Sequence, residues 1–432
     1  MRTSSTVRGH KPSQVAWMQG VDVPSEWHRT KVKHLITEAR AGNAITSEQI
    51  EPLGEHLVYG GNGRRGYTDG FTHTGTYLLI GRQGALCGNV HLVSGTFWAS
   101  EHAIVCEPRP DVVPRWLAYL LEVMDLGQYS VTAAQPGIGV SQVVNVETYV
   151  PPPAEQRAIA DFLDERTSRI DTLIAKQDQL ITTLRERRAA ITLQTVTKGR
   201  RAKASHRPSG LRWAGDVPAA WDVANIRRYA TMKTGHTPSR FNSEFWNNCT
   251  IPWFTLADVW QLRDGRATYL TEETATRINE AGLENSSAEL LPAGTVVLSR
   301  TASVGFSGIM PVPMATSQDY WNWVCGPKLL PTFLLATFRA MSNELGSLVM
   351  GSTHKTIYQP VAASMSIVIP PLDEQQEIVD FLNEQTSRID ALIAKTDEHM
   401  ALAKERRAAL ITAAVTGQID VRTAPHAANG VM

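Results

Sequence analysis

An α+β chain, with two mixed α/β domains set apart by two long helices, is what the sequence predicts, and three observations predict it. The stretch from Pro151 to Thr197 returns at Pro370 to Thr416, at a constant offset of 219, with 26 identities in 47 positions and no gap. After its opening prolines each copy lacks both proline and glycine until Gly199 or Gly417. The two remaining segments share an outline of short strand-like runs but little text. A repeat period above 200 residues means a duplicated domain, since solenoid repeats are far shorter.

The first segment, 1–153, opens its frame with `GVDVPSEW` (Gly20 to Trp27), and the second, 199–370, with `GDVPAAW` (Gly215 to Trp221). Each then reaches a short apolar run ending in an arginine and a glycine-containing turn: `YLLIGRQGALCG` (Tyr77 to Gly88) and `TVVLSRTASVG` (Thr295 to Gly305). Each closes on a Gly/Ser/Gln-rich loop and an alternating strand, `QPGIGVSQVVNVETYVPPP` and `GSTHKTIYQPVAASMSIVIPP`. Frequent Gly, Pro, Thr and β-branched residues in short runs predict strands of five or six residues. Trp27 and Trp221 hold matching places, which predicts core or docking roles. Trp246, Trp253 and Trp260 belong to the second segment alone, with its core as the main expectation and a ligand-facing loop as the alternative.

The repeats predict helices at 154–198 and 371–417, each of about 44 residues or roughly 65 Å, followed by a flexible tail at 418–432. Acidic residues gather at their starts (Glu155, Asp161; Asp373, Glu374) and `ERR` comes late, as the helix dipole favours. Ile159, Leu163, Ile170, Leu173, Ile174, Leu180, Ile181 and Leu184 form an apolar stripe in the first, and Ile378, Leu382, Ile389, Leu392, Ile393 and Leu410 in the second. A stripe of that width needs a partner helix, and the simplest partner for each is the other, giving a coiled coil. Gln177 and Thr396 interrupt the stripes and would fix register at some cost in stability.

Composition sets the outer bounds. At 432 residues and 43% hydrophobic the chain is long enough for two or three globular domains. No apolar run approaches the roughly 20 residues of a membrane span, and no basic-then-apolar leader opens the chain, so a cytoplasmic location is expected. Cys87, Cys106, Cys249 and Cys325 are scattered with no C-x-x-C pair, which predicts ordinary reduced thiols and no metal module. The seven histidines of residues 1–150 lack ligand spacing, so no metal is expected. Lys+Arg and Asp+Glu both number 42. Residues 1–150 hold 12 basic against 13 acidic groups and residues 198–369 hold 17 against 12, so attraction to phosphate alone should be modest.

A variable domain, a long helix beginning `PPxxEQxxIxxFL`, a second variable domain and a second such helix resemble the specificity subunit of type I restriction-modification systems. The resemblance spans essentially the whole chain and is most specific at Pro151 to Arg188, at Pro370 to Arg407 and in `YGGNGRRGY` (Tyr59 to Tyr67). It implies that the variable domains are target recognition domains, each reading one half of a split DNA site, with the helices packed antiparallel as a spacer. It implies as partners double-stranded DNA, two modification (methyltransferase) subunits and restriction subunits. S-adenosylmethionine, ATP and Mg are then expected on those subunits and no cofactor on this chain. A coiled-coil adaptor holding two protein-binding domains is the alternative.

The motif inventory agrees with a chain that is not an enzyme. No Asp or Glu is followed two residues later by Lys, as a D…[DE]-x-K nuclease requires, and no Gly-Lys pair exists for a P-loop. `VPPP` and `IPPL` lack the Asn or Asp and the aromatic of an amino-methyltransferase motif. Gly61, Gly63 and Gly66 spell G-x-G-x-x-G, yet a turn-rich stretch follows where a dinucleotide site needs a helix. As a glycine-rich loop, Gly61 and Gly63 instead allow close backbone approach to phosphate, and Arg64 and Arg65 offer phosphate or guanine contacts, with an ordinary glycine turn as the alternative. Arg82 with Gln83, and Arg300 with Thr301, end the shared strand and are candidate base readers, with pairing to an internal carboxylate as the alternative for either arginine. Thr353, His354 and Lys355 are candidate phosphate contacts.

Overall fold

The computed structural model describes residues 8–130, 136–201, 204–349 and 356–423. It holds two compact units, one built from Met1–Gln177 with His399–Met432 and the other from Asp178–Glu398. Four helices organise them: α1 (Pro114–Val123), α2 (Pro153–Lys198), α3 (Pro331–Ala340) and α4 (Leu372–Val415). Each long helix gives one half to each unit, because each half carries apolar residues that close a separate core.

Unit 1 contains a six-stranded sheet of β1 (Ile36–Ala41), β2 (His56–Gly60), β3 (Gly63–Thr68), β4 (His73–Gly81), β5 (Val90–Ala99) and β6 (Ala103–Pro108). Its order is β1-β6-β4-β5-β2-β3. All neighbours are antiparallel except β2 and β5. Side chains alternate across a strand, so Leu78 and Ile80 enter the main core with Ile104 and Cys106. Leu79 turns to the opposite face, against Val93, Phe97 and Val105. Trp116, Leu117, Leu120 and Leu121 of α1 cover the main core. All four cysteines are free, and burial pushes the thiol of Cys106 up to about 12.

Unit 2 repeats this logic with a four-stranded antiparallel sheet. It consists of β7 (Ala230–Thr234), β8 (Val296–Ser299), β9 (Ser307–Ile309) and β10 (Tyr320–Cys325), in the order β7-β10-β8-β9. Val296 and Leu298 pack with Trp321, Trp323 and α3, while Val297 faces Phe254 and Tyr320. A further three-stranded sheet of Ile251–Phe254, Arg277–Ile278 and Ala315–Thr316 has no counterpart in unit 1 among the described residues. There Trp253 is buried, as expected, whereas Trp260 stands 66% exposed.

The repeated `EQ` joins each long helix to its unit. In unit 1 the indole of Trp27 donates to Glu155 at 3.1 Å. Gln156 accepts from the backbone N–H of Val113, at the N-cap of α1, and donates to the Pro151 carbonyl. In unit 2 Trp221 donates to Glu374 at 2.8 Å, and Gln375 accepts from Leu330 at the N-cap of α3 while donating to Pro370. Those N-cap N–H groups lie beyond the helix's own bonding, so the glutamine supplies an acceptor that burial would otherwise deny them. Opposite each tryptophan the other long helix ends on a glycine. A Cβ at Gly417 would fall 2.4 Å from Pro24 and 3.1 Å from Trp27, and one at Gly199 would fall 2.8 Å from Trp221. Both glycines have positive φ, 77° and 66°.

The two long helices pair antiparallel. In unit 1 Ile159 and Leu163 share a core with Ile411, Ala414 and Val415, and Asp171 meets Arg407 at 2.9 Å. In unit 2 Val196 shares a core with Ile378 and Leu382, and Arg188 meets Asp390 at 3.3 Å. Asp171 and Asp390 are the same position of the repeat, as are Arg188 and Arg407. Each copy therefore presents the acid that the other copy's arginine needs.

The seam advances by fours and threes through Leu163, Thr167, Ile170, Ile174, Gln177, Ile181, Leu184 and Arg188, and through Leu382, Thr386, Ile389, Ile393 and Thr396. Three leucines expected on it are not there. Leu173, Leu180 and Leu392 are 48%, 47% and 54% exposed, because each stands one residue before a seam position. Thr396 is buried and satisfied by the Leu392 carbonyl of its own helix, whereas Gln177 Oε1 has no partner among the described residues. The start of the expected flexible tail is also corrected: Val421 is buried and Ile419 packs on the unit 1 core, while residues 424–432 lie outside the described ones.

Candidate functional site

In unit 1 the glycine-rich stretch forms the hairpin between β2 and β3. Gly63, at φ 93°, closes the turn, and a bulge at Val58/Tyr59 accompanies Gly66 at φ 152°. Gly61 packs where no side chain fits: a Cβ there would lie 2.7 Å from the His102 carbonyl and 3.4 Å from Gly81 Cα. The hairpin tip is thereby held against the end of β4, so Gly61 stands beside Arg82 while Gly63 faces the ring of His91. Arg64 and Arg65 are exposed, and Arg65 folds across Gly60. Arg64, Arg65 and Arg82 make no ion pair with any described residue, which leaves their guanidinium groups free of internal carboxylates.

The backbone around Arg82 is fixed on both sides. Its N–H donates to the His102 carbonyl at 2.9 Å, and its carbonyl accepts from Ile138 at 2.9 Å. Gln83 bridges to Gly137, and its amide oxygen lies 3.1 Å from the ring of His102. Arg300 of unit 2 is held identically, by the Asp319 carbonyl at 2.9 Å and by Ile357 at 3.0 Å, and Thr301 bridges to Thr356. The strand-end pairs Arg82–Gln83 and Arg300–Thr301 thus occupy equivalent positions. Gly84 turns at φ 86°, and Ala302 takes the same left-handed turn at φ 54°, which costs about 1 kcal/mol for a residue with a Cβ.

The side chains differ where the frame agrees. Arg300 stacks on Trp321, its guanidinium carbon 4.4 Å from the ring centre, and neither it nor Arg82 pairs with a carboxylate among the described residues. Burial lowers the pKa of Arg300, and its Nε is buried without a hydrogen-bond partner there. Asp319, next to it, is engaged by the hydroxyls of Thr301 and Ser317, both at 2.8 Å. Sequence reasoning missed His102 and Asp319, which reach the site from strand-to-strand turns, and Trp321, which reaches it from β10 rather than from the arginine's own loop. It also missed Arg240, stacked 4.6 Å from Trp246, beside the fully exposed Phe241. Thr353, His354 and Lys355 lie outside the described residues. No group of three metal-ligating side chains occurs among the described residues, and no helix of theirs is long and apolar enough to cross a membrane.

This geometry suits contact with a polyanion: exposed Arg64 and Arg65 on the hairpin, and half-buried Arg82 and Arg300 on rigid strand ends. The comparisons with known proteins agree in kind. One relative, the EcoprrI type I restriction enzyme specificity subunit of Escherichia coli, is 42% identical over 134 residues, 30% of this chain and 33% of its own length. The putative MjaX specificity subunit of Methanocaldococcus jannaschii is 23% identical over 325 residues, 72% of this chain and 69% of its own. The alignment with the E. coli protein spans about one third of that protein's length. A solved chain described under assembly and conformational transition of the type I R-M system has the same fold, with a TM-score of 0.67 at 15% identity, covering 92% of this chain and 99% of its own. The family model for the type I restriction modification DNA specificity domain matches twice, at residues 24–183 and 218–398. With most of the chain inside those two matches, the protein belongs to the family of type I restriction-modification DNA specificity domains.

Proposed function

We propose that this chain is the DNA-reading, non-catalytic subunit of a type I restriction-modification complex, each unit reading one half of a bipartite site. The observation that carries the reading is the duplicated frame with divergent contents. Arg82–Gln83 and Arg300–Thr301 sit on the same backbone scaffold, flanked in one unit by His102 and in the other by Asp319 and Trp321. Two unequal half-sites demand one scaffold with two sets of side chains.

Methylation and cleavage fall to partners: two methyltransferase subunits, and restriction subunits where the system cuts. Near-neutral net charge supports this division, because a chain with 42 basic and 42 acidic groups gains little from counterion release and needs a partner's charge to hold a duplex. Leu173 and Leu402 in unit 1, and Leu180 and Leu392 in unit 2, are exposed leucines on the long helices. They suit the seating of those subunits. An adaptor binding two proteins through its globular parts would use the same helices but have no need of free arginines at strand ends.

The test is a base-resolution methylome of cells carrying the methyltransferase with Arg82→Ala or Arg300→Ala. A bidentate base contact is worth about 1–3 kcal/mol, so each variant should relax one half of the motif and leave the other intact. Equal damage to both halves by either variant would refute one unit per half-site. Unchanged motifs together with a methyltransferase that still co-purifies would favour the adaptor.

A further inference from the structure

Unit 2 contains a cavity of about 600 Å³ between its helix halves, α3 and the loop 262–268. Its charge does not balance. Five arginines line it, Arg188, Arg266 and Arg339 among them, against two carboxylates, Asp264 and Asp390. Asp390 is shared, 3.3 Å from Arg188 and 3.9 Å from Arg266, and Asp264 is 3.3 Å from Arg266. Arg188 Nε is buried with no well-aligned acceptor among the described residues, and Arg339 spends one N–H on the Ala267 carbonyl at 2.6 Å. Burial and then the Arg188 charge lower the pKa of Arg339 to about 10. That is the signature of a cation short of a counter-charge.

Unit 1 shows what a balanced version looks like. Val113 and Leu330 are equivalent N-cap positions, so Glu122 of α1 corresponds to Arg339 of α3. In unit 1 Arg407 is clamped between Glu122 at 2.8 Å and Asp171 at 2.9 Å, a closed triad. In unit 2 the same triad has its outer acid replaced by a base. The reversal leaves an excess of guanidinium groups facing a cavity whose other walls include Phe306, Leu335, Leu382, Thr192 and Thr386.

We propose that this cavity binds a small organic phosphate, a phosphomonoester carried on an apolar or aromatic body of nucleotide size. Guanidinium forks match phosphate oxygens in geometry as well as charge. The volume lies in the range of small-molecule sites, and the mixed walls suit a ligand with one anionic end and one apolar end. Inorganic phosphate would engage the arginines and leave the apolar wall unused. This site departs from the expectation that the chain binds no cofactor, and it does not depend on the DNA-reading proposal.

The experiment is calorimetric titration of the full chain with AMP, adenosine and inorganic phosphate, for the native protein, Arg339→Glu and Arg266→Ala. Arg339→Glu rebuilds the closed triad of unit 1, so folding is expected, with an unchanged or raised melting temperature. Arg266→Ala serves if it is not. AMP should saturate below about 1 mM, the weak end of specific affinities. Adenosine, inorganic phosphate and either variant with AMP should each bind at least tenfold more weakly. Absence of AMP saturation in the native chain, AMP binding by both variants as tight as by the native chain, or adenosine or inorganic phosphate binding as tightly as AMP would each overturn the assignment.

Discussion

Burial sets how His73 titrates. Its ring stacks on Phe97 with the centroids 5.6 Å apart, Tyr77 meets it edge-on, and Thr72 provides a hydrogen bond at 2.7 Å. Burial, then the charge of Arg40, hold its pKa below the ordinary 6.5. Burial lowers His91 in the same way. A depressed folded pKa means that the unfolded chain takes up the proton first, so the contribution is fully present above about pH 6.5 and is lost as the pH falls through the lowered value. Melting temperatures measured from about pH 7 down to about pH 5 should therefore fall, and His73→Phe should fall less steeply than the native chain. Identical slopes would show that His73 is not the group that titrates.

At the scale of the element, the long helices separate two kinds of leucine. Leu163→Ala should cost about 2–5 kcal/mol, as for other buried leucines, whereas Leu173→Ala should stay within about 0.5 kcal/mol. Chemical denaturation of the full chain measures both, and similar losses would contradict the seam. Gly417→Ala should cost more than about 1 kcal/mol, since φ is positive and the new methyl meets Pro24. A neutral result would mean that the helix end is not held in its socket. These helices also mark how far the sequence could be read. Their existence, extent and pairing follow from the repeat and the absence of proline and glycine. Leu173, Leu180 and Leu392 fall off the seam because spacing outweighs hydrophobicity there: counting by fours and threes from Leu163 reaches Thr167 and Ile174 and passes over Leu173. The arginines at the strand ends were legible because their apolar strand and glycine turn recur. His102, Asp319 and the Gln156 cap were not, since tertiary contacts alone bring them into place.

For the whole molecule, α2 and α4 run unbroken from one unit into the other, and on the proposed reading they act as the spacer between half-sites. A heptad inserted after Gln177 and another after Glu398 preserve the seam, which repeats every seven residues. Each adds about 10 Å of helix, comparable to three base pairs at about 3.4 Å each. The methylated motif should keep both half-sequences and gain unspecified bases between them, or activity should disappear where the methyltransferase subunits cannot follow. Full activity at the old spacing would show that the helices do not set the gap.

The closure of the unit 1 core by Ile411, Ala414, Val415 and Val421 also fixes an order of completion during synthesis. Unit 2 is one uninterrupted stretch, Asp178–Glu398, and has all its parts once that stretch has left the ribosome. Unit 1 is begun first and finished last, its Trp27 facing an empty socket until Gly417 arrives. Closing a loop from Trp27 to Gly417 is a late, long-range event, and apolar surface stays open while it waits. A chain stopped after Glu398 should therefore yield a protease-resistant second unit and a digestible first one, an inversion of the order in which the two were made.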